Sequence, residues 1–311
     1  TIFSYMAEGV IAVDRDGRLI HANPIGQKLM DLDEESIHSG VKLDLSYLDL
    51  VSIDYEKPET LDGEKIYETI EGVYKVKYAP YRDEKDDIAG IIMVFQDITQ
   101  EHKLESMRKE FVANVSHELK TPITTIKSYT ETLMEEGVEV DVQKRFLSVI
   151  DSECDRMARL VRDLLQLSNI DYKKTKWVRT DLSVNQLLQD IVSKLEVLAR
   201  DKSQRIKMSF AEPLSSVMGD KDGIEQVLIN IVSNAIKYTE PGGEISIVTS
   251  NETDKVRIRV SDNGIGIPEE DINRLFERFY RVEKGRSRDL GGTGLGLSIA
   301  KEIIEAHNGE I

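Results

Sequence analysis

With a single cysteine among 311 residues, Cys154, the chain excludes an intrachain disulfide. Its place in a helical apolar pattern reads as a small buried hydrophobe suited to a reducing compartment. Long apolar runs are missing too: the longest, around Ile91-Ile92-Met93-Val94-Phe95, falls well short of the roughly 18 uninterrupted residues a membrane span needs. Positive charge is in deficit, with 41 Lys and Arg against 57 Asp and Glu and a net charge of −16. An acidic surface repels phosphate backbones and anionic headgroups, so nucleic acid is excluded as the expected partner. Most of that acidity lies in the first 98 residues, and the central third is neutral overall. The composition that remains, 40% hydrophobic and 32% charged, is that of a folded chain long enough for two or three domains. Thr1-Ile2-Phe3 carries no initiator Met or signal peptide, and Gly309-Glu310-Ile311 reads like the start of a strand. The sequence therefore reads as an excised piece of a longer protein.

Three textures follow one another. Up to about residue 98 there are short β-type runs. Gly9 to Val13 and Arg18 to Ala22 bracket the turn Asp14-Arg15-Asp16-Gly17, which predicts a hairpin. Further runs cover Lys65 to Tyr78 and Gly90 to Gln96, Pro24 to Leu32 has helical spacing, and Asp83 to Asp87 reads as a charged hairpin loop. This is a small α+β module. From about 99 to 170, Gly and Pro nearly vanish. Leu104, Phe111, Val115, Leu119, Ile126 and Leu133 form one helical stripe, and Val142, Phe146, Val149, Met157, Leu160, Leu164 and Leu167 form another after a break at Gly137. Two such helices leave apolar flanks open to water, and a second copy closing a four-helix bundle is the usual solution, so a homodimer is expected. From about 181 onward, helices (Val184 to Ala199, Gly223 to Lys237, Gly294 to His307) mix with strands (Ile206 to Phe210, Glu244 to Ser250, Lys255 to Ser261) in an α/β-sandwich pattern.

Four segments carry chemistry. On a helical wheel with His117 at zero, Phe111 falls near 120°, Val115 near 160°, Ile126 near 180° and Leu119 near 200°, so the imidazole points away from the apolar seam. Glu118 beside it can accept the ring Nδ1 proton, leaving Nε2 as a nucleophile, and Pro122 removes the backbone bond to the Glu118 carbonyl, allowing a bend. Asn230, Asn234 and Lys237 share one face of the second-last helix, while Val227, Leu228, Ile231, Val232 and Ile236 cover the other. Carboxamides plus a cation offer oxygen ligands for a hard divalent ion and a donor for phosphate, although a plain solvated face would look the same. Asp262-Asn263-Gly264-Ile265-Gly266-Ile267-Pro268 follows a strand, and Gly291-Gly292-Thr293-Gly294-Leu295-Gly296-Leu297 opens a helix whose free N–H groups favour an anion. Either glycine run alone fits a turn or a cap. Phe276 and Phe279, three apart on a short expected helix, read first as core. The polar segment Arg281 to Leu290 has the character of a lid. His21 and His38 lack the company that metal ligands need and read as structural or exposed.

In this order and spacing the segments resemble the sensor histidine kinases of bacterial two-component systems, and most closely the WalK/PhoR/ResE group. The carriers are Phe111-Val-Ala-Asn-Val-Ser-His117-Glu-Leu-Lys-Thr-Pro122, the Asp97-Ile98-Thr99 junction, Phe276-Glu277-Arg278-Phe279-Tyr280-Arg281-Val282, and the two glycine runs. The resemblance implies a multidomain α+β architecture: a PAS sensor domain at 1–98, a dimerisation and histidine-phosphotransfer hairpin at 99–175, and a catalytic ATP-binding domain at 176–311 whose final strands are missing. It implies His117 as phosphoacceptor, Glu118 as acid/base, Thr121 as the residue that positions water for a phosphatase reaction, and Arg281 on phosphate. Asn234, with Asn230, would hold Mg²⁺. Lys237 would contact phosphate and Asp262 the adenine amino group, while Tyr238, Gly264, Gly266, Ile267, Phe279, Gly292, Thr293, Gly294, Leu295 and Gly296 would complete the ATP pocket. The implied partners are a second copy and a response-regulator receiver domain, and the implied setting is the cytoplasmic part of a membrane-anchored protein. A gyrase- or chaperone-type ATP clamp shares the pocket residues but lacks a helical hairpin bearing a histidine.

Overall fold

The computed structural model describes residues 8–33, 39–44, 62–135, 137–172, 174–282 and 292–311. His38, Gly291 and most of the expected lid segment lie outside them. The chain falls into two compact units, 1–112 and 113–311.

The first unit is built on a five-stranded antiparallel sheet in the order β2-β1-β5-β4-β3, from β1 (Gly9–Asp14), β2 (Leu19–Ala22), β3 (Gly63–Glu68), β4 (Val73–Arg82) and β5 (Ile88–Asp97). The β1–β2 hairpin turns where Asp14 Oδ1 accepts from the N–H groups of Asp16 and Arg18, both at 2.8 Å, and Gly17 takes a positive φ. Ile11, Val13, Val76, Ile91 and Met93 are fully buried, so alternate residues of three strands form the core. Helix α1 (Pro24–Leu29) starts at Asn23, whose buried carboxamide accepts from the N–H groups of Gly26 and Val10 at 2.8 Å and so pins the helix to β1. It is shorter than the spacing suggested, because Asp31 enters the left-handed region. The single run expected over Lys65 to Tyr78 is two strands, divided where the Thr69 hydroxyl closes a turn onto Gly72. His21 is exposed on β2.

At the end of β5, Asp97 accepts from the Thr99 N–H at 2.8 Å, and Thr99 Oγ1 accepts from the Val73 N–H at 2.9 Å. The Thr99 hydrogen bonds lower the Asp97 pKa. Asp97-Ile98-Thr99 therefore ends the strand and opens helix α2 (Thr99–Leu133), which runs 35 residues straight through Pro122. After Gly137, at φ +88°, comes α3 (Val140–Asp171). Contact of the Tyr129 and Phe146 rings at 4.7 Å, and of Glu118 with Arg156, sets the two helices antiparallel. Both keep large apolar side chains exposed, among them Met107, Val112 and Ile123 on α2 and Leu147, Val161 and Leu165 on α3. Cys154 is exposed rather than buried, since it lies about 120° round α3 from the buried Leu160.

Beyond the hairpin, a three-stranded sheet in the order β10-β9-β7 pairs β9 (Glu244–Asn251) antiparallel with β10 (Val256–Asp262) and parallel with β7 (Arg205–Ser209). Helices α4 (Val184–Asp201), α5 (Lys221–Tyr238) and α7 (Gly296–Ala306) complete the sandwich, with Leu188, Ile191, Val232, Ile245 and Ile247 fully buried. A ribbon of β6 (Arg179–Leu182) and β8 (Val217–Asp220) was not expected, because four residues of mixed polarity carry no period. Asp220 ends β8 and caps α5 by accepting from Gly223 N at 2.9 Å. A one-turn helix α6 (Glu269–Ile272) is followed by turns, so Phe276 and Phe279 are not on a helix as expected: Phe279 sits at φ +65°. Gly309 to Ile311 do not form a strand; Glu310 instead pairs with Lys255 at 2.9 Å.

Candidate active site

His117 is exposed on α2, on the side away from half-buried Phe111, Val115, Leu119 and Ile126, as the wheel required. The helix does not break at Pro122, which is buried. One turn after His117, Thr121 Oγ1 donates to the His117 carbonyl at 3.2 Å. Glu118 faces the other helix: its Oε2 accepts from Arg156 Nη2 at 2.8 Å, with the two side chains 20% and 12% exposed. Sequence reasoning missed Arg156. The available signal was a charged residue four before Leu160, on the margin of an otherwise apolar α3 stripe.

On α5, Asn230, Asn234 and Lys237 share a half-buried face opposite Leu228, Val232 and Ile236, which lie in the sandwich core; Val227, expected on that far side, instead lies beside the carboxamides and packs with Leu295, Leu160 and Leu167. The two carboxamides differ in what they touch. Asn230 donates to the Gly296 carbonyl at 2.8 Å and accepts from Gln226 at 2.9 Å, fastening α5 to the start of α7. Asn234 makes no hydrogen bond among the described residues, which leaves its oxygen available to a metal ion. Burial first, then the like charges of Arg281, Arg156 and Lys202, lower the Lys237 pKa to about 8. The Lys237 Nζ also lies 4.9 Å above the Tyr238 ring, and a Cβ added at Gly292 would stand 2.7 Å from it. A desolvated cation under the influence of other positive charges is a site that an anion stabilises.

Two glycine turns flank this face. Asp262, exposed at the end of β10, accepts from Gly264 N at 3.0 Å. The Ile265 N–H donates to the Tyr238 carbonyl at 3.2 Å, and that approach leaves no room at Gly264, where a Cβ would lie 2.4 Å from the Tyr238 oxygen. Gly266 has φ +72° and stands between exposed Ile265 and Ile267. In the second turn Gly294, at φ +74°, accepts through its carbonyl from Phe279 N at 3.0 Å. Thr293 Oγ1 donates to Asp163 Oδ2 on α3 at 2.9 Å, and burial raises the Asp163 pKa. Leu295 is fully buried with Leu160 and Leu167 of α3, and Phe279 packs on the same cluster. Arg278 donates to both oxygens of Asp171 at 2.8 and 2.6 Å. Within this unit the pocket residues thus meet α3, the partner helix of the one bearing His117.

The fit to a nucleotide phosphate can be read from Lys237. A bound anion favours the ammonium form, so binding takes up a proton once the free lysine titrates at about 8. ATP affinity measured between about pH 7.5 and 9.5 is expected to fall with rising pH, by up to about tenfold per unit. Lys237→Met should bind more weakly and flatten the profile; a wild-type affinity independent of pH would refute the assignment.

Known families match all three regions. Residues 219–311 match the histidine kinase-, DNA gyrase B- and HSP90-like ATPases, 107–173 the His kinase A phospho-acceptor domain, and 17–99 a PAS domain. The chain belongs to the sensor histidine kinases. It is 39% identical to the sensor histidine kinase WalK of Bacillus subtilis over its whole length, covering 52% of that protein, and 38% identical to a sensor protein kinase WalK of Staphylococcus aureus, covering 76% of it. It thus spans about half the length of the Bacillus relative. Among solved structures it is similar to the histidine kinase ThkA in complex with the response regulator protein TrrA, with a TM-score of 0.54 and 26% identity over 99% of this chain and 91% of that one.

Proposed function

We propose that this chain autophosphorylates His117 from ATP and passes the phosphoryl group to an aspartate of a response-regulator receiver domain. The carrying observation is an exposed, outward-pointing imidazole on a hairpin that shares one compact unit with the Lys237 cation cluster and the two glycine turns. His117 Nε2 gives its lone pair to the γ-phosphorus while the bond to the bridging oxygen breaks and ADP leaves with that electron pair; Glu118 accepts the Nδ1 proton. Lys237 and Arg281 neutralise phosphate charge, Asp262 accepts from the adenine amino group, and Gly264 and Gly294 keep the backbone close. Gly266, Ile267, Tyr238, Phe279, Gly292, Thr293, Leu295 and Gly296 shape the rest of the pocket. The Asn234 carboxamide, with Asn230 beside it, would hold Mg²⁺, which when bound would supply charge neutralisation on the phosphates.

Exposed apolar residues on both long helices support a homodimer closing a four-helix bundle. The receiver-domain partner rests on ThkA, whose structure contains its regulator. Anchoring to a membrane rests on the half of the Bacillus relative that this chain does not cover. Incubation with γ-labelled ATP and Mg²⁺ tests the core of the reading: an acid-labile, base-stable label is expected, and absence of label with ATP bound would refute it.

We assign to the Thr121 hydroxyl, one turn from His117 and bonded to its carbonyl at 3.2 Å, the orienting of water that attacks a phosphorylated regulator. Thr121→Ala is expected to slow regulator dephosphorylation about tenfold or more while leaving autophosphorylation within about twofold. Loss of both activities would make Thr121 merely structural.

A further inference from the structure

Glu118 and Arg156 form the one close side-chain ion pair between α2 and α3 among the described residues. Their surroundings set it apart from the many exposed pairs elsewhere. Lys127 with Glu131 and Lys109 with Glu105 lie along one helix, more than 60% exposed, where such pairs contribute little. Arg156 is 12% exposed, and its other nitrogen reaches Glu153 at only 3.7 Å, so Glu118 is its principal partner. Glu118 adjoins the nucleophile, and two turns further along α3 Asp163 holds Thr293 of the glycine turn. Arg156 is also one of the cations acting on Lys237. The guanidinium therefore holds the residue next to His117 while its charge is felt at Lys237.

Activated nucleophiles are commonly built as a relay of three groups: the attacking atom, its base, and a third side chain that fixes the base. A carboxylate on a surface helix has several rotamers, and only one near-attack arrangement serves the histidine. A charge-assisted hydrogen bond from the half-buried Arg156 Nη2 to Glu118 Oε2 at 2.8 Å restricts that freedom. We propose that Arg156 is a positioning residue for phosphoryl transfer, acting on His117 through Glu118. This rests on Glu118 being the acid/base of the proposed function.

The test uses the full chain and three variants. Arg156→Met is expected to lower the autophosphorylation rate at saturating ATP about tenfold to a hundredfold. Glu118→Gln is expected to lose at least as much, and the double variant to be no slower than Glu118→Gln alone within about twofold, because the two residues act as one unit. Arg156→Lys, which keeps the charge but loses the planar guanidinium, should recover part of the rate. A residue that only braces the hairpin would give multiplicative losses in the double variant, and that result overturns the proposal. So does an Arg156→Met rate equal to wild type. If Glu118→Gln labels normally, the acid/base role of Glu118 falls and the proposal with it; if Glu118→Gln is slow and Arg156→Met is fast, only the positioning role falls. Repeating the series with phosphoramidate as donor dispenses with the ATP site, so the role of Arg156 is tested even in a chain that makes no use of ATP.

Discussion

Replacing His117 with Gln is expected to abolish labelling from γ-labelled ATP, a loss of at least about a thousandfold, because the variant removes the attacking lone pair itself. Little else should change. The side chain is exposed and makes no contact with the hairpin core, and glutamine is as good a helix former as the position needs. Helical content and ATP affinity should stay within about twofold of wild type, since the Lys237 face lies on a separate helix. The decisive comparison is acid-labile label against bound ATP in the same samples. Equal labelling of variant and wild type would move the phosphoacceptor elsewhere and sink the mechanism.

Asn234→Ala carries the second large effect. The two α5 carboxamides look alike in sequence, but Asn230 spends its donor on Gly296 and its acceptor on Gln226, whereas Asn234 has no such commitments among the described residues. A hard cation needs oxygen ligands, and removing this one should abolish the Mg²⁺-dependent part of nucleotide binding, a weakening of about a hundredfold. Alanine favours the helix, and the flanking Val232, Ala235 and Ile236 stay buried, so the fold should be untouched. Titration calorimetry with Mg²⁺ and with a chelator measures it. Unchanged affinity in Mg²⁺ would refute the ligand role. Asn230→Ala should act differently, loosening α7 and weakening binding with or without the metal.

How far these sites were legible depended on the range of the interactions that make them. Because a 3.6-residue or two-residue period is local, periodicity gave the helices and strands of the second unit's sandwich to within about two residues, though it merged β3 and β4 of the first unit into one run. It also oriented His117 correctly. What it could not supply was anything fixed by contact between distant segments. Glu118 was assigned to its neighbour on the strength of adjacency, while in the structure its carboxylate is held by Arg156, 38 residues away. The β6–β8 ribbon, the burial of Leu295 under α3 and the Asn230 bond to Gly296 are of the same kind. Phe279 shows a subtler failure. Two aromatics three apart suggested a helix, but the close approach of Gly294 takes the backbone of Phe279 into the left-handed region instead. Cys154 was misjudged because lying within an apolar stretch does not put a residue on its buried face: it stands about 120° round α3 from Leu160.

The last turn of α5 ends differently from most helices. Its terminal carbonyls are normally left to water and fray, but here Lys202 donates to the carbonyls of Ile236 and Lys237 at 3.0 and 2.8 Å. Gln204, buried beside it, donates to those of Ile236 and Thr239 at 2.9 and 2.6 Å. Both donors come from the segment between α4 and β7, so the turn that carries Lys237 is bolted to the far side of the sandwich. Its amide hydrogens should exchange with solvent only when the whole sandwich opens, at the slow end of the range for this chain. The backbone beneath Lys237 is thereby fixed before any anion arrives, so little of an anion's binding free energy would go into ordering that turn.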